Sequence, residues 1–563
     1  MHDLVISGAQ VFDGLGNAPQ SADLAVKDGR IVAIGKITDA AKERVKADGL
    51  ALAPGIVDLH THYDAQVTWD PTLSPSPSLG VTTAVMGNCG FGIAPCRPAL
   101  RELLLRNLSV VEGMELDALQ AGTRWEFESF REFVGVIRKQ RPYINTAVLA
   151  QHSTIRTQVM GEEAATRAEP TPAELDAMRR EVRDALDAGA IGFASSFSPN
   201  HSGWGGLPMP SCLATDAELE SLVGVLGEVG RGVFMMATGP RATPQFMEGM
   251  AKKTKRPMFI STALTMYNEA APERAMPYYE YCAEANARGN EVYIQTTCQP
   301  LSFTFDLLDP YVMYSHDAFD RMRQLNKPEA LAAVYGDRPF REAFRANLAK
   351  PKAGIIFYGN WNLIEIAATS RAENAKYEGK TIAAAAREAG KDPLDFFFDL
   401  GISEKLATTY VGKFFQNNDK AVAPLISHPS GVIALSDAGA HLKFLCDAGF
   451  GLYLLGHWVR EQGVFTLQEG IRRLTSDPAR KYRIPDRGRL QVGAHADLLL
   501  FDPNTVGISK SMRVSDLPGG GSRLIRKPSG VNGVWVNGTR VFDGTDYTKL
   551  NAGPGQLLDR FLQ

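Results

Sequence analysis

Pro54-Gly-Ile-Val-Asp-Leu-His-Thr-His-Tyr-Asp64 is the stretch on which the architecture turns. It opens with a Pro-Gly punctuation, runs through a short apolar β-type segment and ends on two histidines one residue apart. Side chains alternate along a strand, so His60 and His62 point to the same face, where both imidazoles can meet one metal ion. Two histidines at this spacing are a weak signal alone. Their position directly after an apolar strand and an N-terminal β segment makes the signal strong.

Downstream of this stretch, apolar strand-like runs alternate with amphipathic helical patterns. Candidate strands cover Gly55–Leu59, Val81–Met86, Asn145–Ala150, Ile191–Ala194, Val233–Ala237, Met258–Thr262, Val292–Thr296 and Val432–Leu435. Between them lie helical stretches such as Pro172–Ala190, Asp216–Gly230 and Ala275–Arg288. Such β-then-α units predict an α/β fold of the (β/α)8 TIM-barrel type, because a barrel closes its own edge at eight strands. A ninth β-like run begins at Gly354 and is placed in an insertion near 353–380, followed by a helical segment around Thr381–Gly401. Both ends of the chain read differently. Asp3–Gly14 and Ala25–Gly35 are short β-type runs, the second with a hairpin signal at Asp28-Gly29, and Asp497–Asp502 and Val531–Phe542 repeat the style. The expected organisation is a small β-sandwich domain built from both termini (1–53 and 486–563) around a catalytic barrel at 54–485, with 518–530 as a loop in the C-terminal part.

Composition narrows the function. Of 563 residues, 44% are hydrophobic and 22% charged, which excludes wholesale disorder. Sixty basic against 63 acidic residues leave a net charge of −3, which offers no basic face for phosphate neutralisation and argues against a nucleic-acid partner. No signal peptide and no apolar stretch of membrane-spanning length stand out. The six cysteines are scattered without a CxxC pair and read as reduced thiols. The expectation is a cytoplasmic protein acting on a small molecule, with no nucleic-acid or membrane partner and with a homo-oligomer, a dimer by default for soluble enzymes, left open.

In such barrels catalytic groups sit where strands end. Besides His60 and His62, the strand ends carry Gly87-Asn-Cys-Gly90, Gln151-His-Ser-Thr-Ile-Arg156 and Ser436-Asp-Ala-Gly-Ala-His441. The chain resembles the amidohydrolase superfamily, and within it the N-acyl-D-amino acid deacylase (D-aminoacylase) group. The likeness rests on Ala53–Asp64, on Gly80-Val-Thr-Thr-Ala-Val-Met-Gly-Asn-Cys-Gly90, on Ile433-Ala-Leu-Ser-Asp-Ala-Gly-Ala-His441 and on Gly488-Arg-Leu-Gln-Val-Gly-Ala-His-Ala-Asp-Leu498. The resemblance implies a hydrolase of carbon–nitrogen bonds, acting on an N-acyl amino acid or related amide. It implies a divalent metal, zinc in that group, held by His60, His62, Cys89 and Asp437. Asp437 would also be the general base for the attacking water and pass its proton to the leaving amine.

The pattern departs from that family at one place. The usual histidines of the fifth and sixth strands are missing, since 232–240 and 256–264 contain none. Three metal readings stay open: a site of His60, His62 and Asp437 with or without Cys89, a weakly held metal, or none. An ester or lactone hydrolase with a degraded metal site and a catalytically silent barrel are the alternative functions. For Asp437 the competing role is an N-cap, and for Cys89 a small buried thiol. His152 is the leading non-metal catalytic candidate, able to polarise a carbonyl, against a plain structural hydrogen bond. Arg156, able to grip a substrate carboxylate, and His201 and His441, placed to line the mouth, are the substrate-binding candidates. His201 belongs to a long loop, Pro199–Pro208, and Asp64 is a candidate partner for a metal-bound histidine.

Overall fold

The computed structural model describes all residues except 199–200, 238, 240–242, 262–264, 323–324, 326 and 351–354. Eight strands form one parallel sheet: β1 Ile56–Asp58, β2 Val81–Met86, β3 Asn145–Gln151, β4 Gly192–Ser196, β5 Val233–Ala237, β6 Met258–Ser261, β7 Val292–Thr296 and β8 Gly431–Ile433. Each pairs with its predecessor in chain order. Beyond the strand ends the chain closes on itself. Thr61 bridges Ala438 in parallel, the His62 N–H donates to the Ala438 carbonyl at 2.8 Å, and the Asp437 N–H donates to the His60 carbonyl at 3.2 Å. The seam of the barrel therefore runs through the backbone of the two histidines and of Asp437.

All eight strands coincide with expected runs, because each is a short apolar stretch that a parallel sheet buries on both faces. Only Thr262, the last residue of the expected sixth strand, lies outside the described residues. Helix ends follow local chemistry. Thr171 and Glu174 form a reciprocal capping box that starts Pro172–Asp187. Thr215 caps Asp216–Val229, which Gly230 ends in a left-handed conformation.

Strands from both termini share one mixed sheet. His2–Val11 lies between Gln20–Lys27 on one side and, in succession, Ala41–Lys46 and Ala51–Pro54 on the other. Ala51–Pro54 pairs with Leu498–Phe501, which pairs with Val531–Val536. Because His2–Val11 passes from one neighbour to the next, the sheet folds over an apolar core that includes Ile6, Leu24, Leu52, Leu498 and Trp535. The hairpin turns at Asp28-Gly29 (φ 50° and 76°) and Asn537-Gly538 (φ 46° and 78°) have both central residues left-handed, the conformation these dipeptides supply. The segment 518–530 is not a plain loop, since it contributes short strands at Arg523–Ile525 and Pro528–Ser529.

Contacts divide the chain into two units. One comprises 1–266, 273–299 and 420–563, and holds the barrel and the terminal sheet. The other comprises 267–272 and 300–419. It contains a three-stranded antiparallel sheet, Leu301–Phe305, Thr409–Phe415 and Ile364–Ala368, with Thr409–Phe415 in the centre. Helices Pro328–Gly336, Arg338–Ala349, Ile382–Glu388 and Pro393–Ser403 accompany it, with Phe340, Phe344, Phe397 and Phe398 in their core. The expected insertion at 353–380 is thus only the middle of a longer unit, and its residues 353–354 lie outside the described ones. Its first strand pairs with a segment a hundred positions later, and a local pattern carries no trace of such a pairing. Among the described residues no helix is long and apolar enough to cross a membrane.

Candidate metal centre

His60 and His62 leave the end of β1 with their ring centroids 5.3 Å apart. His60 Nδ1 lies 2.8 Å from the Gln295 Oε1 of β7, and Gln295 Nε2 donates to the Tyr482 hydroxyl at 2.8 Å. With the amide so oriented, its oxygen accepts from His60 Nδ1–H, and the Nε2 lone pair of His60 faces the barrel mouth. There it meets Cys89 Sγ at 3.5 Å and Asp437 Oδ1 at 3.3 Å. His62 Nε2 lies 3.6 Å from the same Asp437 oxygen. One ligand atom each from His60, His62 and Cys89 fall within 4.8 Å of one another.

Unusual backbone delivers the other two groups. Cys89 (φ 56°) follows β2 and Asp437 (φ 48°) follows β8, both in the left-handed region that side chains other than Gly's seldom adopt. Leu435 (φ 76°) and His441 (φ 54°) share it. Gly90 beside the cysteine is also left-handed, and a Cβ there would stand 2.7 Å from the Ala194 carbonyl oxygen. Only glycine lets the β2 loop pass that close to β4.

Electrostatics mark the same point. Burial pushes the His60 imidazole down to about 4, so it stays neutral near pH 7. Burial opposes charge on Asp437 as well, but the hydrogen bond from His62 and the nearby His60 and His441 outweigh it and hold the carboxyl well below the usual range. For His62, burial disfavours the imidazolium, yet Glu112 and Asp437 win and its pKa rises well above the ordinary value. Burial raises the Cys89 thiol to about 11, against the pull of His62. The neutral His60 nitrogen lone pair facing the Asp437 carboxylate at 3.3 Å is a pair of acceptors that a cation satisfies, with the Cys89 sulfur and the second imidazole beside it. Two imidazoles, a sulfur and a carboxylate oxygen suit a divalent transition metal.

Glu112 gave no signal in the sequence. It ends the helix Arg101–Val111, is 2% exposed, and its Oε1 lies 3.0 Å from His62 Nδ1. Nothing in its neighbours, which include exposed acids, sets it apart. His441 and His201 belong to the same neighbourhood. The His441 N–H donates to the Glu112 carbonyl, and His441 Nδ1 is buried without a hydrogen-bond partner. The His201 ring packs edge-on to Phe91, pairs with the Ser196 hydroxyl at 2.7 Å and is held neutral by burial, its pKa about 4. The loop expectation for Pro199 and Asn200 lies outside the described residues, as do 238, 240–242 and 262–264, which follow β5 and β6.

His152 and Arg156 have a different role from the one expected. Both side chains are fully buried. His152 spends Nδ1 on Ser195 Oγ at 2.8 Å and Nε2 on Glu218 Oε1 at 2.9 Å. Arg156 donates to Glu218 and to the carbonyls of Ala164, Pro210, Arg167 and Ala168. The strand-end rule misled here because His152 opens a helix, His152–Met160, whose side chains meet the helix Asp216–Val229 carrying Glu218. Arg156→Met leaves the Glu218 carboxylate buried with one partner fewer, so unfolding in urea should show a loss of about 3–5 kcal/mol. Asp64 makes no hydrogen bond or ion pair with a histidine among the described residues, although the charge of His62 acts on it. It accepts from Gln151 Nε2 at 2.5 Å and from the Gly87 N–H at 3.1 Å.

The sequence pattern of the amidohydrolase family matches residues 43–542, nine-tenths of the chain. The chain belongs to the amidohydrolase family and is a hydrolase of carbon–nitrogen bonds. It is similar to the D-aminoacylase of Alcaligenes xylosoxydans xylosoxydans, at 26% identity over 98% of this chain and 96% of that protein. It is also similar to the N-acyl-D-glutamate deacylase of the same organism, at 28% identity over 99% of this chain and 96% of that one. The solved structure of N-acyl-D-glutamate deacylase from Bordetella bronchiseptica, complexed with zinc and a phosphonate inhibitor, superposes with a TM-score of 0.65 at 25% identity, covering 99% and 100% of the two chains.

Proposed function

We propose that the protein hydrolyses the amide bond of N-acyl-D-amino acids, with zinc held by His60, His62, Cys89 and Asp437. The observation that carries this is the clustering of ligand atoms of His60, His62 and Cys89 within 4.8 Å of one another, with Asp437 Oδ1 3.3 Å from His60 Nε2 and 3.6 Å from His62 Nε2, at the mouth of the barrel. The acyl-D-amino acid class is supported by the deacylases that resemble the chain over almost its whole length. A bound divalent ion supplies a Lewis acid that polarises the amide carbonyl and lowers the pKa of a water molecule.

The chain's own groups do the rest. Asp437 keeps 14% of its side chain exposed, whereas Glu112 keeps 3%, so Asp437 is the carboxylate that reaches water and substrate. It accepts the proton of the attacking water at a carboxylate oxygen and gives it to the departing nitrogen. Gln295 fixes the ring of His60 through Nδ1. His441, with Nδ1 unpartnered, and the neutral His201 are assigned to the substrate. The six cysteines form no disulfide, which supports a reducing compartment, the cytoplasm.

A panel of N-acetyl-D- and N-acetyl-L-amino acids tests the reading by amine release. The D series should be turned over, chelation should abolish turnover and zinc should restore it. A folded protein that releases no amine overturns the proposal. Amine release that survives chelation keeps the amide hydrolysis and removes the metal from it.

A further inference from the structure

The two histidines of the centre are held from behind by unlike partners. His60 Nδ1 hydrogen-bonds the neutral amide of Gln295 at 2.8 Å, whereas His62 Nδ1 makes an ion-pair contact with Glu112 Oε1 at 3.0 Å, an oxygen that is buried and has no hydrogen-bond partner among the described residues. Glu112 is also fastened to the other side of the site, because its carbonyl accepts the N–H of His441, four residues after Asp437. Both Glu112 and His62 are almost fully buried, their side chains 3% and 5% exposed, so water screens this contact little. A carboxylate at one ring nitrogen fixes the imidazole's orientation and increases the basicity of the other nitrogen. That matters in a chain without histidines at 232–240 and 256–264, where fewer donors are left to share a metal.

We infer that Glu112 is a positioning residue that holds His62 with Nε2 turned toward Asp437 and makes it the strongest nitrogen donor of the centre. The inference rests on the metal-centre reading above. Glu112 touches neither substrate nor metal in this account and acts through His62 alone.

Zinc affinity of the full chain, measured by competition with a chromophoric chelator, is the direct test. Glu112→Gln keeps the shape but removes the charge, and should weaken zinc binding about 10- to 100-fold. In a His62→Ala background the same substitution should have no further effect, since the contact it alters is gone. Glu112→Asp, which keeps the charge but shortens its reach, should lie between wild type and Glu112→Gln and serves if the latter does not fold. Wild-type affinity in Glu112→Gln or Glu112→Asp, or an equal loss with and without His62, overturns the inference while leaving the metal centre standing. A wild-type protein that binds no zinc overturns both.

Discussion

In the Asp437→Asn protein, amide hydrolysis falls by about 100- to 10,000-fold, the span that positioned proton transfer contributes. The expectation follows from the place of this side chain. Its Oδ1 stands 3.3 Å from His60 Nε2 and 3.6 Å from His62 Nε2, and of the site's two carboxylates it is the more exposed. Asparagine keeps the volume but can accept no proton at that position. The backbone N–H that joins the seam to the His60 carbonyl survives, so circular dichroism and thermal unfolding should stay close to wild type. Single-turnover kinetics with an N-acyl-D-amino acid will separate loss of chemistry from loss of binding. Hydrolysis within a few-fold of wild type would remove Asp437 from the mechanism.

Metal content gives the second large effect. Wild-type protein purified without chelator should carry about one equivalent of divalent metal per chain, and His60→Ala little or none. Alanine removes the one nitrogen whose lone pair is fixed toward the thiol and the carboxylate by the Gln295–Tyr482 relay. It also removes the ring nitrogen that stands 3.5 Å from Cys89 Sγ and 3.3 Å from Asp437 Oδ1. Elemental analysis by mass spectrometry reads the difference directly. Equal occupancy in both proteins would place the metal elsewhere, and its absence from both would leave hydrolysis to be explained by side chains alone.

The strands of the barrel were legible because each is a short apolar run bounded by turn chemistry, and a strand buried on both faces needs nothing else. His60 and His62 were legible because a spacing of two on a strand means one face. The limits of the second unit were not, since Leu301–Phe305 and Thr409–Phe415 become neighbours only in three dimensions. Gln295 escaped notice for the same reason, lying 235 positions from the histidine it holds. Glu112 is a single acid at the end of an ordinary helix, and only its burial against His62 distinguishes it. His152 and Arg156 show the opposite error. They stand at a strand end, as catalytic groups do, but the chain turns there into a helix whose charges are neutralised internally by Glu218.

The seam through Thr61 and Ala438 has a consequence for how the protein matures. The histidines leave the ribosome early and Asp437 late, so a growing chain exposes two imidazoles and the Cys89 thiol long before their carboxylate partner is made. Any ion captured at that stage meets an incomplete and pliable set of donors. With the proposed ligand set, selection of the ion follows closure of the ring of strands, which puts assembly of the centre at the end of folding rather than at its beginning.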